Sequence, residues 1–184
     1  VLEDGAARLV LLTAHRRESF GAPLREVFQA VRRLADEADD VVVLYPVHPN
    51  PNVRKPAREL LSGHPRIRLV DPLGYFDLVA ALRHARLVLT DSGGIQEEAP
   101  TFGVPVLVLR QVTERPEGID AGVAELVGTD GERIVERARA VLAEGAGGGP
   151  RANPYGDGRA GERIADIVAS RLTGRPRATE DWAG

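Results

Sequence analysis

The sequence predicts a doubly wound α/β domain on a six-stranded parallel sheet, and three observations carry that expectation. Short runs recur that are apolar throughout rather than alternating, the mark of strands buried on both faces. Between them lie segments with apolar residues at spacings of three and four, as on one face of a helix. Strands separated by helices imply right-handed crossovers, and these make a parallel sheet. The usual order of such a sheet, 3-2-1-4-5-6, reverses between strands 1 and 4, and ligands sit beyond the C-terminal strand ends there. Chemistry is therefore expected after the first and fourth strands.

The elements follow in chain order. Arg8-Leu9-Val10-Leu11-Leu12-Thr13 is the first strand. Pro23 to Ala38 reads as a helix, with Leu24, Val27, Phe28, Val31 and Leu34 on one face and Pro23 suited to its first turn. Val41 to Tyr45 is the second strand, closed by Pro46; Asn52 to Leu61 is a short helix and Ile67 to Val70 the third strand. Tyr75 to His84 is a helix with Leu78, Val79 and Leu82 on one side. Leu87 to Thr90 is the fourth strand, and a Gly-Gly turn leads into a helix near Ile95. Pro105 to Leu109 and Ala124 to Val127 complete the sheet, and helices around Glu132–Leu142 and Gly161–Leu172 close the chain. Glu144 to Pro150 is expected to be a flexible spacer. The domain is expected over 1–173, with 174–184 a polar tail that frays.

Composition narrows the function. The 184 residues are 43% hydrophobic and 28% charged, enough for one domain that buries about 70% of its unfolded surface. Lys+Arg 24 against Asp+Glu 27 gives a net charge of -3, which argues against a broad grip on nucleic acid. The absence of cysteine excludes disulfides, zinc–thiolate sites and thiol catalysis. No apolar run approaches the roughly 20 residues of a membrane span and no secretory signal opens the chain, a balance that fits a cytoplasmic location. There is no methionine, so Val1 is not an ordinary translation start and the chain is expected to be processed, trimmed or an excerpt of something longer.

Two polar loops fall at the expected switch point. After the fourth strand comes Asp91-Ser92-Gly93-Gly94-Ile95-Gln96-Glu97-Glu98. Asp91 and Ser92 are good helix caps, the glycines allow close approach to the backbone, and free N–H groups at the helix start suit a phosphate. The same turn can be merely structural. It lacks a P-loop lysine and the Gly-x-Gly-x-x-Gly spacing, which disfavours nucleoside triphosphate hydrolysis and dinucleotide binding. Glu97 and Glu98 could accept hydrogen bonds from ribose hydroxyls or simply complement the helix dipole. After the first strand, Thr13-Ala14-His15-Arg16-Arg17-Glu18 offers arginine forks for an anion and an imidazole that exchanges protons near neutrality, or else a solvated basic turn. A proline-stiffened loop after the second strand presents His48 or is simply rigid scaffolding, and Arg115, after the fifth strand, is placed near the same rim. His64 and His84 receive no role. No histidine–carboxylate cluster has metal spacing, so neither a metal nor a cofactor is expected.

These blocks are familiar. His15-Arg16-Arg17-Glu18, Pro46 to Val53, Asp91 to Pro100, Arg110 to Gly118, Leu126 to Asp130 and Asn153 to Gly158 resemble the non-hydrolysing UDP-N-acetylglucosamine 2-epimerases. They occur in family order from Leu9 to about Leu172. The resemblance covers only the second half of that enzyme. It implies two Rossmann-type domains in the GT-B arrangement with substrate between them, this chain being the UDP-binding C-terminal domain and its last helix packing back toward the first. Ser19 stands where the family usually has Asn, and Leu73-Gly74 is a less typical uracil-side segment.

The reaction so implied interconverts UDP-N-acetylglucosamine and UDP-N-acetylmannosamine. A base removes the proton at C2, UDP departs to leave a glycal, and UDP re-adds after reprotonation on the other face. By resemblance, His15 is the catalytic histidine, a proton donor or stabiliser beside the departing diphosphate. Ser92, Gly93 and Gly94 form the phosphate cradle, Glu98 binds the ribose and Arg115 faces the phosphates. Arg16 and His48 match residues that contact a second UDP-N-acetylglucosamine acting as an activator. The acidic proton-transfer residues belong to the N-terminal domain, so this chain alone is expected to bind without turnover, and the full-length enzyme to be a homodimer. The alternatives are an epimerase for a modified UDP-sugar, a non-catalytic UDP-sugar-binding module and, at the level of fold, a glycosyltransferase domain.

Overall fold

The computed structural model describes residues 7–144 and 153–182. One six-stranded sheet runs through it, with β1 (Arg8–Thr13), β2 (Val41–Pro46), β3 (Ile67–Val70), β4 (Ala85–Thr90), β5 (Val106–Val108) and β6 (Ala124–Leu126). The order is β3-β2-β1-β4-β5-β6, and every neighbouring pair is parallel. The direction of winding reverses between β1 and β4, as the sequence predicts.

The described residues form seven α-helices: α1 (Ala22–Glu37), α2 (Pro51–Leu61), α3 (Tyr75–His84), α4 (Gly93–Glu98), α5 (Pro116–Asp120), α6 (Gly131–Ala143) and α7 (Ala160–Thr173). Alternate residues of β1, β4 and β5 feed two separate cores. Val10, Leu12, Leu87, Leu89 and Leu107 pack with Phe28, Val31, Val53 and Ile134 of α1, α2 and α6. Leu11, Val88, Val106 and Val108 pack with Ala81, Leu82 and Ile95 of α3 and α4 on the other face. Two covered faces are the physical reason that the strands read as unbroken apolar runs. The outer strands differ: β6 is only half-buried along its length, and β3 has a single buried residue.

Helix ends obey local rules. Gly21 precedes α1 at φ 90 and ψ -131, a conformation open in practice only to glycine. It turns the chain from the loop after β1 into a helix that buries Leu24, Val27, Phe28, Val31 and Leu34, the face expected from spacing. Asn50 caps α2 by accepting from the Asn52 N–H at 2.9 Å, and Asp130 caps α6 by accepting from the Arg133 N–H at 2.8 Å.

Two segments differ from expectation. The Gly-Gly pair is not a turn before α4 but its first two residues. Residues 174–182 form no helix or strand, yet part of this tail is tied down rather than frayed. Asp166, buried on α7, accepts from the Ala178 and Thr179 N–H groups and from the Thr179 hydroxyl at 2.8–2.9 Å, and pairs with Arg175 at 2.7 Å. The backbone donors and the guanidinium hold that carboxyl well below the usual range. Of the expected spacer, 145–150 lies outside the described residues.

Candidate functional site

The site grows from the ends of β1 and β4. Thr13 and Thr90 stand opposite each other in register, with their buried hydroxyls 2.5 Å apart, so both strands stop at one level. The Asp91 N–H donates to the Thr13 carbonyl at 3.0 Å, and Ser92 N–H to the Thr90 hydroxyl at 2.9 Å. Beyond these bonds the two loops part as opposite walls of the switch point.

Asp91 lies beneath the loop after β1. It is 1% exposed, and its Oδ2 accepts from the His15 and Arg16 N–H groups, both at 2.7 Å. Its Oδ1 lies 3.7 Å from His15 Nδ1, beyond hydrogen-bonding distance, and is buried without a partner. Burial pushes the Asp91 carboxyl upward, opposed by those two N–H donors and by the nearby His15 and Arg16. Burial also pushes the His15 imidazole down; Asp91 pulls it back up, while His48 and Arg16 add to the fall. The His48 ring stacks on His15 with centroids 5.2 Å apart and planes 15° from parallel. Below the loop, the fully buried Tyr45 donates its hydroxyl proton to the Ala14 carbonyl at 2.6 Å. Burial raises that phenol, and Asp91 adds to it.

The second wall is α4 with the loop after β5. The N–H groups of Gly93, Gly94 and Ile95 precede the first helical hydrogen bond, Gln96 N–H to Ser92 carbonyl at 3.2 Å, and so have no partner within the helix. One guanidinium nitrogen each of Arg16 and Arg115 lies 3.7 Å from where a Cβ on Gly93 would stand. Two cations thus converge on a backbone that has no side chain. Arg16 is steadied by donating to the Asp91 carbonyl at 3.2 Å. Arg115 donates through Nε to Glu97, its N–H to the Thr113 hydroxyl at 3.1 Å, and Thr113 in turn to buried Gln96 at 2.6 Å. The neighbouring Glu97 carboxylate holds the Arg115 guanidinium above its ordinary value.

Residue type alone leaves Glu97 and Glu98 alike, and the resemblance assigns the ribose to Glu98. In the structure Glu97 binds Arg115, whereas half-buried Glu98 forms no side-chain hydrogen bond or ion pair among the described residues. Its Oε1 lies 3.9 Å from the Cβ position of Gly94. The expected capping is corrected: neither Asp91 nor Ser92 caps α4 through its side chain. The Asp91 carboxylate is turned toward β1 to hold the other loop, and the Ser92 hydroxyl stays free of α4.

His15, Arg16, His48, Ser92 and Arg115 lie in the loops that follow the C-terminal strand ends, and Gly93, Gly94 and Glu98 lie in α4, just beyond β4. The residues that buttress them went unassigned in the sequence. Arg110, buried at the end of β5, binds Glu18 at 2.7 Å and Glu114 at 2.6 Å and 3.0 Å, which ties the two loops together. Its guanidinium lowers the Glu114 carboxyl to about 2. Asn153 donates to the Glu97 carbonyl at 2.9 Å and the Thr101 hydroxyl at 2.8 Å. The Tyr155 hydroxyl donates to the Arg115 carbonyl at 3.1 Å and accepts from Gly118 N–H at 2.9 Å. Only the motif Asn153-Pro154-Tyr155-Gly156 signalled this latch.

A cleft of about 500 Å³ lies elsewhere, at the N-terminal ends of β5 and β6 between Pro105, Ile119, Val123 and Val141, and contains none of these residues. No group of three or more His, Asp and Glu among the described residues could hold a metal ion. No helix among them is long and apolar enough to cross a membrane.

An open parallel sheet with two arginines and a helix start at its switch point defines a Rossmann-type domain with a cationic rim. Comparison with known proteins gives the family. The family model for UDP-N-acetylglucosamine 2-epimerase matches residues 1–169, and the chain belongs to that family. It is 47% identical over 183 residues to UDP-N-acetylglucosamine 2-epimerase of Bacillus subtilis, covering 98% of this chain and 48% of that protein. An S. aureus MnaA–UDP co-structure superposes with a TM-score of 0.88 at 42% identity, covering 97% of this chain and 50% of that one. The crystal structure of UDP-GlcNAc 2-epimerase from Neisseria meningitidis bound to UDP-GlcNAc gives 0.82 at 38% identity, over 89% and 45% of the two chains. The chain spans about half the length of the curated relatives it matches.

Proposed function

We propose that this chain is the UDP-binding C-terminal half of an enzyme that interconverts UDP-N-acetylglucosamine and UDP-N-acetylmannosamine. The observation that carries the reading is the convergence of Arg16 and Arg115 on Gly93, one guanidinium nitrogen of each lying 3.7 Å from where a Cβ would stand. Two guanidinium groups and the unpaired N–H groups at the start of α4 are complementary to a diphosphate. Glu98, free of partners, would accept hydrogen bonds from the ribose hydroxyls while Glu97 remains the anchor of Arg115. Family membership, and relatives crystallised with UDP and with UDP-GlcNAc, support the same ligand.

In this mechanism, cleavage of the C1–O bond leaves its electron pair on the β-phosphate oxygen, so UDP departs with one negative charge more than the diphosphate carried in the sugar ester, and the cradle stabilises that developing charge. His15 stands beside it as proton donor or stabiliser. The groups that take and return the proton at C2 would come from the other half of the enzyme, and this half alone would bind without turnover. The domain would span 1–173, with 174–184 as its tail. α7 supports a second half. Ile164, Val168 and Leu172 recur every four residues and are 61%, 50% and 81% exposed, an apolar stripe suited to another domain. A cytoplasmic homodimer is part of the same proposal.

One observation favours an additional activator subsite at Arg16 and His48. His48 is exposed and stacks on His15, so a second nucleotide sugar held there would touch the ring beside the leaving group.

The test is calorimetric titration of UDP into this chain and into Glu98→Ala. We expect a Kd of roughly 0.1–1 mM, or about -4 to -5.5 kcal/mol, and at least about tenfold weaker binding by the variant, the scale of a lost charged hydrogen bond. A folded wild-type chain that releases no heat with UDP would refute the half-site.

A further inference from the structure

Every polar atom of Asp91 but one has a partner. Oδ2 holds two N–H groups, the N–H reaches Thr13 and the carbonyl receives Arg16. Oδ1 alone is buried and unpartnered, and it lies 3.7 Å from Nδ1 of His15. A buried polar atom without a partner calls for an explanation. Here it faces the one ring nitrogen within reach.

We infer that Asp91 is the positioning residue of His15: Oδ2 fixes the backbone that carries the ring, and Oδ1 keeps the ring proton on Nδ1. The two ring nitrogens are distinct, and the hydrogen bond made by one decides the state of the other. With Nδ1 turned to Asp91, Nε2 is on the opposite edge of the ring, away from the carboxylate. A small rotation of the imidazole brings Nδ1–H into hydrogen-bonding range of Oδ1. His48, stacked on the ring face, limits the other ways the ring can turn. The neutral imidazole then offers an unprotonated Nε2, and the imidazolium offers Nε2–H as a donor. An aspartate does the same for a catalytic histidine in serine hydrolases, where it orients the ring without taking its proton.

The charged and titratable groups around the ring are Asp91 beneath it, His48 on its face and Arg16 next along the chain. Of these only Asp91 favours the protonated ring, so its removal lowers the His15 midpoint. Tyr45, under the same aspartate, stays protonated through the neutral range.

The inference rests on the proposed role of His15, but its test does not depend on activity. Long-range 15N–1H spectra of this chain, with His15 identified among the four histidines by His15→Gln, read directly which nitrogen carries the proton. Above the midpoint we expect a pyrrole-like Nδ1 and a pyridine-like Nε2. In Asp91→Asn the carboxamide oxygen can keep both backbone bonds while its NH2 faces Nδ1. The proton is then expected on Nε2, with the midpoint lower by about one unit or more. An Nε2–H tautomer in the wild type, or an unchanged tautomer in Asp91→Asn, overturns the inference. Should Asp91→Asn not fold, the wild-type spectrum decides by itself. UDP titration of the same sample separates the two ideas. No UDP binding with an Nδ1–H ring removes the nucleotide site and leaves the positioning intact, whereas the reverse result removes the positioning alone.

Discussion

At the scale of single residues, the loop after β1 owes its shape to two buried groups on either side of it, Asp91 and Tyr45. The Tyr45 hydroxyl is the only side-chain donor to the Ala14 carbonyl among the described residues, one residue before His15. Tyr45→Phe keeps the ring against Phe28 and leaves that carbonyl unsatisfied. The expected cost is about 1–2 kcal/mol, measured by urea unfolding; a change within error would mean that the hydroxyl does not tether the loop. The exposed side of the site was legible in the sequence, because His15, Arg16, Gly93, Gly94 and Arg115 are residue types that chemistry asks for at strand ends. Its underside was not. An aspartate that caps a helix and one that turns back to hold a neighbouring loop look alike in a sequence. Gln96 and Thr113, both ordinary polar residues, acquire meaning only when folding places them 2.6 Å apart.

At the scale of elements, all six strands and the sheet order follow from apolar runs and their spacing, since burial on two faces leaves a signal that survives without long-range information. Boundaries shifted where flanking residues decide them. β4 begins at Ala85 rather than Leu87 because it pairs with β1 from Leu9 onward, a register that no local pattern contains. The latch from Asn153 to Tyr155 was quoted as a motif but had no assigned partner, because its contacts span roughly 40 to 56 residues of sequence. Tyr155→Phe removes both bonds of the hydroxyl, to Arg115 carbonyl and from Gly118 N–H. Faster amide hydrogen exchange is expected at Gly118, with UDP affinity about three- to tenfold lower as Arg115 loosens, a loss comparable with one or two neutral hydrogen bonds. Unchanged exchange at Gly118 would show that α5 holds Arg115 without the latch.

At the scale of the whole molecule, α7 stands apart. Its only buried residue is Asp166, while Ile164, Val168 and Leu172 face outward. Replacing all three with Ser or Gln is expected to change the stability of this chain by no more than about 0.5 kcal/mol per residue, as for surface positions. A loss of several kcal/mol would instead assign the stripe to this domain's own core. The helix is nonetheless joined to the site. Arg163 on α7 grips Asp157 through two bonds of 2.7 Å, Asp157 lies two residues beyond Tyr155, and Tyr155 touches the carbonyl of Arg115. On the proposed two-domain reading, a swing of α7 would be carried through Asp157 and Tyr155 to the carbonyl of Arg115, so that interdomain motion and grip on UDP would share one mechanical coordinate.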